Sequence, residues 1–238
     1  MGSPISMACI YNKEKNYMLY SNGCQVLNQH YEYIEGGSSI NYDVGNKTWP
    51  IYCQDPNYWW EYYPVNDCVF ILPNVAVEDK YWVGVTNVNV NGFNLDTNFT
   101  NKYYIGVVDM NYNNYSGRLI DSIWVTTPVK YMPHQSAVCV HDNGLDWWVC
   151  LPALKKSGFV TFRISDDGVK DNSYQEIGEI HDTLTLYGQM IFSPDGKKMA
   201  YLLDNDGIQL YDFNDQTGQL SNYQHLDIPK LNPKWNNE

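Results

Sequence analysis

Arginine is nearly missing from this chain. Of 238 residues only Arg118 and Arg163 are arginines, and 15 Lys+Arg stand against 27 Asp+Glu for a formal net charge of −12. Nucleic-acid binding depends on basic side chains that neutralise phosphates, so this balance excludes a nucleic-acid partner. It equally disfavours an anionic membrane surface. No apolar run approaches the roughly 20 residues that span a bilayer, so no membrane insertion is expected. The opening Met-Gly-Ser-Pro has no basic segment leading into an apolar core, so no secretion signal is visible. Either the protein stays inside the cell or the chain begins downstream of a missing N-terminus. No window carries a helical period.

What is abundant is aromatic and polar. There are 21 Tyr and 8 Trp, and charged residues make up only 18%. Tyr, Trp, Val, Ile and Thr suit a pleated, half-buried surface, while Asn, Asp and Gly supply its turns. One unit recurs: a short apolar strand, a polar turn, an aromatic-rich strand, a second turn, a third strand. Its clearest copy runs from Met190 to Phe213, with Ser193-Pro-Asp-Gly196 as the first turn and Asn205-Asp-Gly207 as the second. Earlier copies start at Met7, Cys68 and Ala137. Their second strands begin near Tyr17, Tyr81, Trp147 and Met199, at intervals of 64, 66 and 52 residues. A four-stranded propeller blade needs roughly 40–50 residues, so the first two units carry insertions, at 36–66 and 86–101. The fold expected is all-β: a β-propeller or open propeller fragment of about four blades of antiparallel strands. It forms a single repeat domain over 1–238, with blades near 5–45, 67–124, 131–180 and 184–230. A β-sandwich is the competing arrangement of the same strands.

Several of these segments resemble those of the secreted β-propeller-like repeat proteins of Bacteroidota, many of which end in a sorting domain for type IX secretion. The segments are Leu19-Tyr-Ser-Asn-Gly-Cys24, Tyr104-Ile-Gly-Val-Val-Asp-Met110, His141-Asp-Asn-Gly-Leu-Asp-Trp-Trp148, Gln189-Met-Ile-Phe-Ser-Pro-Asp-Gly-Lys-Lys198 and Thr217-Gly-Gln-Leu-Ser-Asn222. They occur in the family's order and span nearly the whole chain. The family's N-terminal strand with its signal peptide and its C-terminal sorting domain are absent from the sequence. The resemblance implies a secreted or cell-surface scaffold, assigns no reaction, and implies a disulfide between Cys24 and Cys53. Cys139 and Cys150 flank a hairpin turn and are a second candidate pair. Several of the six cysteines read equally well as buried free thiols.

Catalytic constellations are scarce. The five histidines show no His-x-x-x-His spacing, no Cys-x-x-Cys occurs, and no Gly-x-Ser-x-Gly elbow is present. Two arginines cannot build the three-arginine carboxylate clamp of a sialidase-type propeller. Asp204/Asp206 and Asp166/Asp167 offer oxygens that calcium favours, but Asp-Gly turns recur in hairpins for backbone reasons. No catalytic residue, metal or cofactor is expected, and the protein reads as something other than an enzyme.

The candidate ligand-binding residues lie in the aromatic insertion: Trp49, Tyr58, Trp59, Trp60, Tyr62 and Tyr63. Rings of this kind provide large contact areas at low entropic cost, or else they fold inward and cap the first blade. The function expected is therefore non-catalytic binding of a protein or glycan ligand outside the cell. The alternatives are a glycan-acting enzyme with a carboxylate pair, and a structural module of a large adhesin. Exposed strand edges of an open fragment would favour association.

Overall fold

The computed structural model describes residues 7–44, 48–54, 65, 68–89, 99–180, 188–203 and 207–228. Among these residues fifteen strands form four antiparallel sheets, each built from consecutive strands, arranged as a four-bladed β-propeller with almost no helix. The first sheet holds β1 (Ala8–Asn12), β2 (Tyr17–Ser21) and β3 (Val26–Asn28). The second holds β4 (Val69–Pro73), β5 (Lys80–Val88), β6 (Phe99–Asp109) and β7 (Arg118–Thr126). The third holds β8 (Ala137–Val140), β9 (Trp147–Pro152), β10 (Ser157–Ser165) and β11 (Gly168–Ile180). The fourth holds β12 (Gly188–Phe192), β13 (Lys198–Leu203), β14 (Gly207–Asn214) and β15 (Gln219–Leu226).

The turns explain the asparagine content. Asn12, Asn22, Asn74, Asn143 and Asn214 each accept, through the side-chain oxygen, the backbone N–H groups two and three residues ahead. This closes the turn without a second strand. The central strands β5 and β9 are buried on both faces, whereas along β14 Gly207, Gln209, Tyr211 and Phe213 are buried and their neighbours are partly exposed. Such alternation fixes register, because a one-residue slip would turn every apolar ring outward.

Each sheet buries its faces against the next. Tyr17, Leu19 and Val26 of the first sheet pack on Tyr81, Val83 and Val85 of the second. Phe70, Trp82 and Ile105 of the second meet Val149, Val160 and Phe162 of the third. Trp148, Cys150 and Phe159 of the third meet Met199, Tyr201 and Tyr211 of the fourth. Polar bonds tie the same pairs. The Tyr17 hydroxyl donates to the buried Asp79 at 2.7 Å, Trp147 Nε1 donates to the Pro73 carbonyl at 2.9 Å, and Trp148 Nε1 donates to the Asp215 carbonyl at 2.7 Å. The faces of the first and fourth sheets turned away from these cores leave Tyr11 and Ile191 exposed.

Cys24 and Cys53 form a disulfide, the pairing the family resemblance implied. Cys139 and Cys150 do not pair; both are buried free thiols. In the β8–β9 hairpin Cys139 stands opposite Trp148, and Cys150 opposite Ala137. The two residues are thus diagonal neighbours across strands, where positions stand about 7–8 Å apart and Cβ atoms somewhat less, whereas a disulfide needs Cβ atoms within about 4.5 Å. Burial pushes the Cys139 thiol up to about 12 and that of Cys150 well above its ordinary value.

Candidate functional site

β1 lies beside β4 and β8 beside β12, while β11 lies beside both β7 and β15. The first strands therefore face the axis. Where β4, β8 and β12 begin, a cavity of about 200 Å³ opens between them, lined by Val69, Phe70, Gln135, Ser136, Val138, Gln189 and Met190. Three walls come from three different sheets: Phe70 and Val138 are held by the core between the second and third sheets, and Met190 by the core between the third and fourth.

Gln135 gives this pocket its chemistry. It lies in the connection from β7 to β8 and is 1% exposed. The connection is pinned by Tyr131, whose hydroxyl donates to the Lys102 carbonyl at 2.6 Å and accepts the Asn87 N–H at 3.0 Å. Met132 N–H adds a bond to the Pro152 carbonyl at 2.8 Å. The buried Tyr201 hydroxyl donates to Gln135 Oε1. The other end of the amide, Nε2, has no hydrogen-bond partner. It lies against Gly188, where a Cβ would stand only 2.3 Å from it, so glycine is what lets the amide occupy that place. Beside it in sequence, burial lowers the His134 imidazole to about 4 and keeps it neutral through physiological pH.

A wider cleft of about 570 Å³ opens between the β8–β9 and β12–β13 turns. Its polar lining includes His141, Asp142, Ser193, Asp195, Lys197 and Asp215. Lys197 pairs with Asp215. The Ser193 hydroxyl donates to Asp195, which also accepts the Lys197 N–H at 3.1 Å, and both bonds hold that carboxyl below its ordinary range. His141 is committed to its turn: Nδ1 accepts the Asn143 N–H at 2.9 Å, and the ring stacks on Trp148 with centroids 5.7 Å apart. That is the structural role a histidine in a hairpin turn suggests.

Of the aromatic candidates, Trp49 is a core residue. It is 3% exposed, its Nε1 donates to the Ile40 carbonyl at 2.8 Å, and Tyr42 packs edge-on against it. A ring already satisfied in this way is not available to a ligand, so the binding role expected of Trp49 is corrected. Tyr58, Trp59, Trp60, Tyr62 and Tyr63 lie outside the described residues, as do Asp204 and Asp206. The sequence reading gave no role to Gln135 or Gly188, which belong to no motif, nor to Gln189, which opens the Gln189–Lys198 segment.

No protein-family model matches the chain, and no curated protein does. Solved structures do match. A luciferin-regenerating enzyme is 13% identical at a TM-score of 0.43, with 95% of this chain on 62% of that one. The periplasmic gluconolactonase of Pseudomonas aeruginosa is 10% identical at 0.46, with 93% on 53%. An auxiliary nutrient binding protein of Bacteroides ovatus is 10% identical at 0.48, with 98% on 44%. The chain thus spans less than two thirds of each of these proteins. The expectation that this protein is not an enzyme is corrected here. Named enzymes stand among the matches, so the missing catalytic motifs do not exclude catalysis.

Proposed function

We propose that this protein binds a partner, a glycan or another protein, at the end of the propeller where β4, β8 and β12 begin. The observation that carries the reading is the unpartnered, buried Nε2 of Gln135, a residue that lines a pocket at that end. Buried polar groups are almost always satisfied, and one that is not calls for a ligand or water. Support comes from the aromatic segment, which runs between Cys53 and Cys68 directly into β4 and its pocket residue Val69. On this reading Tyr58, Trp59, Trp60, Tyr62 and Tyr63 supply further contact area to the partner. The Cys24–Cys53 disulfide suits an oxidising compartment, and with it a secreted or surface-attached protein. Residues 1–238 act as one repeat domain, whether alone or within a larger adhesin.

The test is a glycan array together with a pull-down on the intact protein, repeated with Trp59→Ala and Trp60→Ala. Binding weakened by these changes is the expected result. Absence of any glycan or protein ligand would overturn the proposal.

The cleft between the third and fourth sheets favours a second reading, a glycan-acting hydrolase. Asp142, Asp195 and Asp215 supply several carboxylates in one concavity, and glycoside hydrolysis uses a pair of them. The hydrogen bonds that hold Asp195 ionised suit it to a base or nucleophile role and not to the general acid. Release of reducing ends from polysaccharides that is abolished in Asp142→Asn would establish this activity; no release from any of them would dismiss it.

A further inference from the structure

Resting on the binding reading above, we infer that the axial pocket takes one neutral sugar ring, the uncharged end of a glycan, seated with a ring or hydroxyl oxygen on Gln135 Nε2. Size sets the first limit. At about 200 Å³ the cavity is smaller than the roughly 300–1,000 Å³ that drug-sized ligands occupy, so it admits a single ring or the end of a chain.

Charge sets the second limit. None of Val69, Phe70, Gln135, Ser136, Val138, Gln189 and Met190 is ionisable, so an acidic or cationic ligand would lose its hydration there with no counter-charge. The protein's −12 net charge adds to the exclusion of acidic sugars.

The walls match the two-sided chemistry of a neutral sugar. Val69, Phe70, Val138 and Met190 offer apolar surface to its C–H faces, while the Gln135 and Gln189 amides offer hydrogen bonds to its oxygens. Gln135 is pre-positioned for this. Tyr201 holds one end of its amide, and Gly188 leaves room for the other. A donor fixed in advance spends no conformational entropy when the ligand arrives. The Gln189 side chain is exposed at the mouth and free to adapt.

The experiment is an array of immobilised glycans capped by neutral hexoses or by uronic or sialic acids, probed with the intact protein and competed by free methyl hexosides. Two variants accompany it. Gln135→Met removes the buried amide, and Gln189→Ala removes the exposed one without touching a core; thermal melting confirms that each is folded. We expect binding to neutral caps alone, competition by a methyl hexoside, and about a tenfold loss of affinity in each variant. Binding that ignores both substitutions, or that favours acidic caps, would overturn the pocket assignment while leaving a glycan-binding protein. A protein partner captured with no glycan bound would overturn the assignment and leave the broader reading in its protein form. No ligand of either kind would end both.

Discussion

Reduction of the Cys24–Cys53 disulfide isolates one contribution to stability, because the residues around it are held by other bonds. Trp49 Nε1 is fixed to the Ile40 carbonyl, the Asn41 side chain donates to the Thr86 carbonyl at 3.2 Å, and the Thr48 hydroxyl donates to the Val88 carbonyl at 2.8 Å. The folded state should therefore survive reduction nearly unchanged, leaving the unfolded chain as the state that gains freedom. The bond closes a loop with a sequence separation of 29 residues. Loop-closure entropy for that length is about 12 cal/mol/K, or about 3.6 kcal/mol at 25 °C. Urea unfolding with and without a phosphine reductant, followed by tryptophan fluorescence, measures the difference. Thiol titration in the same samples checks the cysteine assignment. The native oxidised protein should show one rapidly reacting thiol, the exposed Cys9, because Cys68, Cys139 and Cys150 are buried, and burial keeps the last two protonated. Unfolding without reductant should expose all four free thiols, and reduction should add the two of the disulfide. A count of two in the unfolded oxidised chain would mean that Cys139 and Cys150 are bonded. A stability loss under about 1 kcal/mol would mean that the loop ends stay together in the unfolded chain, contrary to the entropy argument.

Stability should also fall at acid pH through His134. Its folded imidazole titrates at about 4 against an ordinary 6.5, so as pH drops the unfolded chain takes up the proton first. The contribution is whole above about pH 6.5 and drains away towards pH 4, by at most about 3 kcal/mol. His134→Gln should flatten that stretch of the stability curve, and an unaltered slope would reassign it to another group. Gly84 lies opposite Phe70 in the β4–β5 ladder, and a Cβ there would stand 2.1 Å from the ring. Gly84→Ala should therefore push Phe70 out of the core between the second and third sheets and cost about 1–3 kcal/mol in thermal unfolding. Gly144→Ala, at φ +70° with no heavy atom within 4 Å, should cost about 1 kcal/mol from backbone strain alone. Equal effects at the two glycines would show that the Phe70 clash is relieved without loss. Trp148→Ala should cost about 3–5 kcal/mol, since it empties a site that is 1% exposed and leaves the Asp215 carbonyl one donor short.

The strands were legible because each marker strand follows polar turn residues and is rich in aromatic and other apolar residues, whether it alternates like β2 or is buried on both faces like β5 and β9. The aromatic strands marked near Tyr17, Tyr81, Trp147 and Met199 begin at Tyr17, Lys80, Trp147 and Lys198. Sequence resolves such starts to within a residue when a turn residue directly precedes an aromatic or otherwise apolar run. Register inside a hairpin was not legible. Cys139 and Cys150 flank a turn, yet which residues oppose each other depends on how that turn closes. His141 N–H bonds to the Asp146 carbonyl at 2.9 Å, which sets Cys139 against Trp148 and moves Cys150 one diagonal away. Trp49 shows the same limit for burial. In an aromatic-rich run nothing local marks in advance which ring finds a carbonyl, here that of Ile40.

The pocket stands between these cases. Val69, Gln135 and Gln189 lie 66 and 54 residues apart, close to the spacings of the repeat itself, because each occupies the entry to the first strand of its sheet. A propeller brings equivalent positions of successive sheets to one axis, so the period alone says that these positions gather there. It does not say what they do on arrival. The amide of Gln135 becomes an anchor because Tyr201, 66 residues further along, occupies one of its two ends, and because Gly188 omits the side chain that would displace the other. Both conditions are contacts between different sheets. A binding group of this kind is therefore a property of how the sheets meet, and a motif search confined to neighbours in sequence passes over it.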